Sequence, residues 1–598
     1  MTRTVRFSPF LLAAMLSPAF LIVECDRTNA NPNLASLEVE AAGLNRVVGF
    51  SSETAAYDVW TPAGVDMVTL RAQSAKPGAR VRYSLFADPI TSGSLGAGGG
   101  EITLTIPPGS SSIRIDVTDG GALRSYVVNI NPPCSLGRCN DADPCTDDVC
   151  DTAISTCEFS TSPDGASCEF MGVGGGMCVV GICRLEWGAA ELIETDDMGD
   201  ATSPHVAVDP NGNATAVWAQ SDGTWNNIWS NRYTAGIGWG VAELIETDDT
   251  GDATSPQVAV DPNGNVRAVW AQFDGTRISI WSNRYTMGLG WGSAELVETD
   301  DAGDATSPQV AVHANGNATA VWRHKDGPQF NIWSSQYTVG VGWGVVELLE
   351  TDNMLPAFDP QVAVDRNGNA TVVWRQFAGN RNSIWSNRYT AGVGWGVAGL
   401  LETDDAGHAF DPQVAVDPNG NATAVWYQLT GTRNNIWSNR YTAGIGWDTA
   451  QLIESDDIDH ARDPQVSVDP NGNATVVWRQ SDGTRDNIWS NEYAAGVGWG
   501  VAELIETDDT GDALNPQVAV HPNGNATAVW RQSDGTQDNI WSNWYTAGVG
   551  WGVAELLETD NAGHAFNPQV AVDPYGRATT VWHQSDGTRT NIWSNRFE

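Results

Sequence analysis

Tryptophan recurs along the last two thirds of this chain at a fixed interval. A motif of the form WGVAELIE or a close variant starts at Trp187, Trp239, Trp291, Trp343, Trp395, Trp447, Trp499 and Trp551, a step of 52 residues each time. Two further series keep that step, Trp218 to Trp582 after a valine and Trp229 to Trp593 inside I-W-S. Three series of eight hold 24 of the 27 tryptophans, so one repeated unit governs the chain. Fixed periods of about 40 to 50 residues belong to propellers and solenoids.

Within a unit the apolar pattern has period two. PQVAVD, NATAVWRQ, NIWSNRYT and GWGVAELIE each read as a strand, with PNGN and SDGT as hairpin turns. No window carries a 3.6-residue apolar stripe, which excludes helical repeats. Four antiparallel strands per unit make a propeller blade. The chain stops after the third strand of the eighth unit, whereas an extra fourth-type strand precedes the first. An open array would leave unpaired edges. The spacing therefore predicts an all-β ring of eight blades over 187–598, closed by Trp187–Glu194 pairing with Asn591–Glu598.

Upstream, Arg3 and Arg6 precede an apolar run from Phe7 to Val23, the plan of a secretory signal peptide. The leader ends either near Ala30, with Thr28 and Ala30 as the small residues, or after residue 24, with Cys25 as the acylated residue of a lipoprotein. Either way the mature protein is expected to be secreted or at the cell surface, and a lipid on Cys25 is its only expected membrane contact. Residues 34–131 hold seven alternating runs between turn signals, which predicts a β-sandwich. Leu37, Phe50, Tyr57, Val59, Val117, Tyr126 and Ile130 occur in an order that resembles the bacterial cadherin-like repeat; the resemblance implies a spacer or interaction module.

Residues 134–183 contain Cys134, Cys139, Cys145, Cys150, Cys157, Cys168, Cys178 and Cys183 and almost no aliphatic core. Outside the cytoplasm such a segment is expected to be stapled by disulfides, with all 105 pairings open. Its run CNDADPCTDDVCD resembles short cysteine-rich repeats of matrix and surface proteins. Asp141, Asp143, Asp147 and Asp148 are candidate ligands for calcium, the one cofactor considered; as turn formers they would need no metal.

The balance of 31 basic and 73 acidic side chains, net −42, excludes a sequence-independent grip on nucleic acid. The turn DPNGN occurs in four units, with HANGN, DRNGN, HPNGN and DPYGR as variants, and reads as a structural corner. The opposite face varies: Trp225, Arg277, Arg381, Arg433, Arg485 and Arg589 follow the SDGT turn or its equivalent, and His408, His460 and His564 alternate with Asp and Pro in the fourth-to-first connection. Together with the acidic run in each connection they form a candidate ligand-binding rim, or else a solvated charged one. The Trp-rich units are similar in plan to propeller lectins of bacteria and fungi. That resemblance implies multivalent binding of a glycan or a cell-surface protein; a structural spacer or matrix role is the alternative. No enzyme is expected, because near-identical units yield eight copies of one pocket rather than one constellation of unlike groups, and SDGT is shorter than the Asp-box of sialidase-like propellers.

Overall fold

The computed structural model describes residues 34–41, 44–45, 56–60, 67–86, 91–105, 111–119, 122–131, 146–151, 156–161, 167–170, 173–179, 182–184 and 187–598, the last without 196–198, 248–250, 299–302, 351–354, 404–406, 455–458, 507–510 and 559–562. The leader, Cys25, Cys134, Cys139, Cys145, Asp141, Asp143 and the centres of the acidic runs lie outside the described residues. Every described regular element is a β-strand.

Residues 34–131 form two facing sheets. Leu34–Ala41, Met67–Ser74 and Gly99–Thr105 belong to one; Ala56–Trp60, Arg80–Phe86, Thr91–Ala97, Ser111–Asp119 and Ala122–Asn131 form the other. Leu37, Leu70, Val81, Ile115 and Tyr126 are buried between them, and the Leu34 N–H donates to the Tyr126 hydroxyl at 3.0 Å. In the cysteine-rich stretch Thr146–Asp151 pairs with Thr156–Thr161 so that Cys150 and Cys157 are opposite each other. Asp147 and Asp148 lie on the first of these strands.

The remainder is a ring of eight antiparallel sheets. In the first blade Ala201–Val208, Ala214–Ser221 and Asn226–Thr234 are the first, second and third strands. First strands pack against the first strands of both neighbours and so surround the axis. The ring closes as the spacing requires. Glu191 pairs with Ser594, Leu192 with Trp593, and Trp187 bridges to Phe597, so the N-terminal strand completes the eighth blade.

The outermost strand departs from the sequence pattern. Instead of one strand over GWGVAELIE, two short pieces, Gly238–Trp239 and Glu243–Leu244, both pair with the third strand. Asn231 ties the break to its surroundings. Its amide donates to the Gly240 carbonyl at 3.1 Å and to the Ile193 carbonyl of the preceding connection at 2.7 Å, taking an oxygen that a continuous ladder would use. Six further blades repeat this bond from Asn to the preceding connection.

Each second strand is buried almost throughout. The Trp218 series is at most 1% exposed in every blade, and each indole contributes on the order of 5 kcal/mol of gross apolar burial. Because a buried N–H needs an acceptor, the Trp218 Nε1 donates to Gln220 Oε1 at 2.8 Å. Six other blades do the same.

Candidate functional site

The rim residues chosen from their variability turn out to be held in the scaffold. At seven of the eight junctions the varying residue of the fourth-to-first connection caps a backbone N–H in the preceding blade. Asp252 Oδ1 accepts from Asn226 at 2.9 Å, and Asp200 Oδ1 accepts from Thr590 at 2.9 Å across the closure. His408 Nδ1 and His460 Nδ1 accept from Asn382 and Asn434, both at 3.1 Å, and His564 Nδ1 lies 3.1 Å from the Asp538 nitrogen. The donor is always the residue after Trp225, Arg277, Arg381, Arg433, Arg485 or their equivalents. Five of these residues also have their own N–H tied into the turn: Trp225, Arg277, Arg485, Gln537 and Arg589 donate to Asp222, Asp274, Asp482, Asp534 and Asp586 at 2.8–3.0 Å. The Trp225 N–H leads in holding the Asp222 carboxyl below the usual range, and the hydroxyls of Thr276 and Thr484, ahead of these N–H groups, do so for Asp274 and Asp482.

The opposite mouth of the channel is likewise built of corners. Asp209 Oδ1 accepts the N–H of Asn211 and Asn213, while Oδ2 accepts the Asn213 amide. A cavity of about 360 Å³ opens there, walled by the valines that end the first strands and by corner prolines such as Pro210 and Pro262.

Chemistry of a different kind gathers just inside the rim. Every first strand begins with a bulge at a residue of positive φ followed by proline: Ser203, Ser255, Ser307, Asp359, Asp411, Asp463, Asn515 and Asn567, with φ between 48° and 55°. The ladder jumps there, so that Ser203 and Pro204 together oppose Trp218. Proline needs no ladder partner, and Ser, Asp and Asn tolerate the left-handed region. The backbone is thus the same eight times, but the side chains are three serines, three aspartates and two asparagines. Serines fill blades one to three; carboxylates fill blades four to six.

The second strand differentiates the same quadrant. The residue after the buried tryptophan is Ala219, Ala271, Arg323, Arg375, Tyr427, Arg479, Arg531 and His583 around the ring. Its cross-strand partner is Thr202, Thr254, Thr306, Phe358, Phe410, Arg462, Leu514 and Phe566. Arg375 Nε donates to Asp359 Oδ2 at 2.8 Å, and Arg479 Nε lies 2.6 Å from Asp463 Oδ2. Between these two ion pairs the arginine position holds Tyr427, and Asp411 has no cationic partner on its own blade. Burial, followed by repulsion from Asp463 and Asp359, pushes the Asp411 carboxyl up to about 6, against the pull of Arg375 and Arg479. Burial and the Asp411 charge push the Tyr427 phenol up to about 12.

Aromatic rings join these charges into a ladder. Arg323 lies over Phe330 and Phe358, and Arg375 over Phe358 and Phe410, at 4.6–5.5 Å from the ring centroids. Phe410 stacks on Tyr427 at 5.3 Å and on His408 at 6.0 Å. Such a surface offers ring faces to apolar C–H groups and fixed donors and acceptors to hydroxyls. Nothing comparable stands in blades one and two, where the same positions hold Thr, Ser and Ala. Among the described residues no group of three or more His, Cys, Asp or Glu is placed to hold a metal ion.

Comparing turns alone misses this quadrant, because its signal lies on the strands. The residue after A-V-W or V-V-W changes from Ala to Arg to Tyr to His while its neighbours stay fixed.

No protein-family model matches the chain, and no curated protein matches it. Solved structures do. A protein of unknown function from Dyadobacter fermentans is similar over 69% of this chain and 98% of its own, at 13% identity and a TM-score of 0.36. A polysaccharide lyase, an ulvan lyase of family PL25, is similar over 62% of this chain and 97% of its own, at 11% identity and a TM-score of 0.42. The NanB sialidase of Streptococcus pneumoniae covers 90% of each chain at 10% identity and a TM-score of 0.32. The expectation that the chain is not an enzyme is corrected. Structures similar to it are a lyase, sialidases and an arabinanase, and the eight units are not copies of one pocket: unlike groups converge in blades four to six.

Proposed function

We propose that this chain is an exported glycan-interacting propeller that grips its glycan at one place, the mouth formed by blades three to six. The observation that carries the reading is the loss of repeat symmetry at the bulge and at the residue after the buried tryptophan. A scaffold kept constant eight times, while blades three to six acquire arginines, carboxylates and stacked rings that blades one and two lack, is the mark of a site. A sugar ring has an apolar face for Phe410 and Phe358, and hydroxyls for the planar Arg375 and Arg479 and for the three carboxylates. The leader expected from residues 1–30 supports a location outside the cytoplasm, either released or held by a lipid on Cys25.

Retention on immobilised xylan, arabinan, laminarin, polygalacturonate, alginate and hyaluronate tests the reading. At least one should hold the full chain, and Phe410→Ala and Arg375→Ala should each weaken retention about tenfold, the loss of roughly 1.4 kcal/mol. Thr202→Ala, at the matching place in blade one, should leave it unchanged. Equal weakening by all three variants, or no retention on any matrix, would remove the proposal.

A further inference from the structure

We infer that Asp411 is the proton donor of a hydrolytic site in this mouth, with the arginine-held Asp463 as its partner and the glycosidic bond of the retained polysaccharide as the substrate. The inference rests on the glycan reading above and deepens it.

Three carboxylates stand side by side on successive first strands, and the structure treats them unequally. Asp359 and Asp463 are each held by an arginine of the same blade, Arg375 and Arg479, and Arg479 also donates to Asp486 at 2.8 Å. Asp411 faces Tyr427 where its neighbours face arginine. A charge on it is repelled by Asp359 and Asp463 and attracted only across blade boundaries by Arg375 and Arg479. Arg462 acts on the Tyr427 phenol from the next blade. Neighbouring carboxyls in environments that separate their titrations are how one site holds an acid and a base together. Half-buried and without an arginine of its own blade, the Asp411 acid stays protonated toward neutrality, whereas each of its neighbours sits against an arginine.

The reaction balances with water as the only co-reactant. The Asp411 proton passes to the glycosidic oxygen as the bond from that oxygen to the anomeric carbon breaks. Water adds its oxygen to the anomeric carbon and gives up its proton to the Asp463 carboxylate. That proton then returns to Asp411 through solvent, and the products are two shorter sugars, one with a new reducing end. Phe410 and Tyr427 supply the stacked wall beside the bond.

The test uses the full chain and the polysaccharides of the retention panel. Wild type should release reducing ends from a retained polysaccharide, with a rate that falls as pH rises through about 6. Asp411→Asn should be slower by about 100-fold or more, the scale of a lost general acid, while still being retained. Tyr427→Arg recreates the pairing of the flanking blades, so it should move the alkaline limb to lower pH; Tyr427→Phe should leave that limb in place. Retention without new reducing ends between about pH 4 and pH 8 would overturn the inference and leave the binding reading intact. So would an Asp411→Asn variant that cleaves like wild type, or an unsaturated, ultraviolet-absorbing product, which marks elimination. Failure of every matrix to retain or be cleaved would overturn both.

Discussion

At position 408 and its equivalents other than Pro356, one side chain carries an acceptor to a backbone N–H of the preceding blade. Asp Oδ1 and His Nδ1 both reach it, at 2.9–3.1 Å, so the ring alternates between them without changing the bond. His408→Asp is therefore expected to leave the unfolding midpoint in urea nearly unchanged. His408→Ala should lower stability by about 1 kcal/mol, the net worth of such a bond. A large loss in the aspartate variant would mean that the imidazole does more than cap. Asp and His differ in charge and shape, so the variation looks like adaptation to a ligand, while the property kept at seven of the eight junctions, one acceptor at one reach, belongs to no letter. The proposed site is visible in letters, as Asp411 flanked in its series by Asp359 and Asp463, but only its environment reveals that Tyr427 stands where an arginine would pair it.

At the level of the strand, the turn residues and the period-two alternation specify three of the four strands in each blade, because those strands bury one continuous surface. The broken outer strand and the bulge before proline are not legible from alternation. Each is an interruption of strand pairing: at Gly240, between the two short outer pieces, and where the ladder passes Trp218. The closure, by contrast, follows from the order of strand types at the two ends, and extra bonds reinforce it. Arg596 lies 3.8 Å from the Tyr233 ring centroid, and the Tyr233 hydroxyl donates to Glu598 at 2.9 Å. The equivalent contact between blades four and five, Arg388 over Tyr441 at 3.9 Å, joins sheets already connected by the chain. Arg596→Ala is thus expected to cost about 2 kcal/mol, from the lost cation–π contact and the ion pair to Glu598. It should also raise the rate of proteolysis near residue 190 several-fold, whereas Arg388→Ala should leave that rate alone. Equal proteolysis of the two variants would show that the seam is no weaker than an interior junction.

Across the whole molecule, eight equal blades carry one unequal quadrant, so titration calorimetry with a retained oligosaccharide should give a stoichiometry near one per chain; a value near eight would restore the multivalent rim. The same break in symmetry sets how stability responds to pH. Burial lowers His521 and His583 to about 4 from an ordinary 6.5, so the unfolded chain binds their protons more tightly. Their contribution is complete above about pH 6.5 and is lost as pH falls toward 4. Glu492 runs the other way. It replaces the arginine of the third strand, accepts from Ser490 at 2.8 Å and from Trp551 Nε1 at 3.2 Å, and is pushed up to about 7, chiefly by burial. The folded state therefore binds its proton more tightly, and its contribution is complete below about pH 4.5 and lost as pH rises through 7. The two slopes oppose each other between about pH 4.5 and 6.5, which flattens the wild-type profile there. Glu492→Gln removes only the second, so this variant should be stabilised relative to wild type at pH 8, by on the order of 2 kcal/mol, and should lose stability more steeply on acidification. Melting midpoints of both proteins at pH 5 and pH 8 measure the difference. A variant that tracks wild type at both values would mean that Glu492 titrates as it does in the unfolded chain.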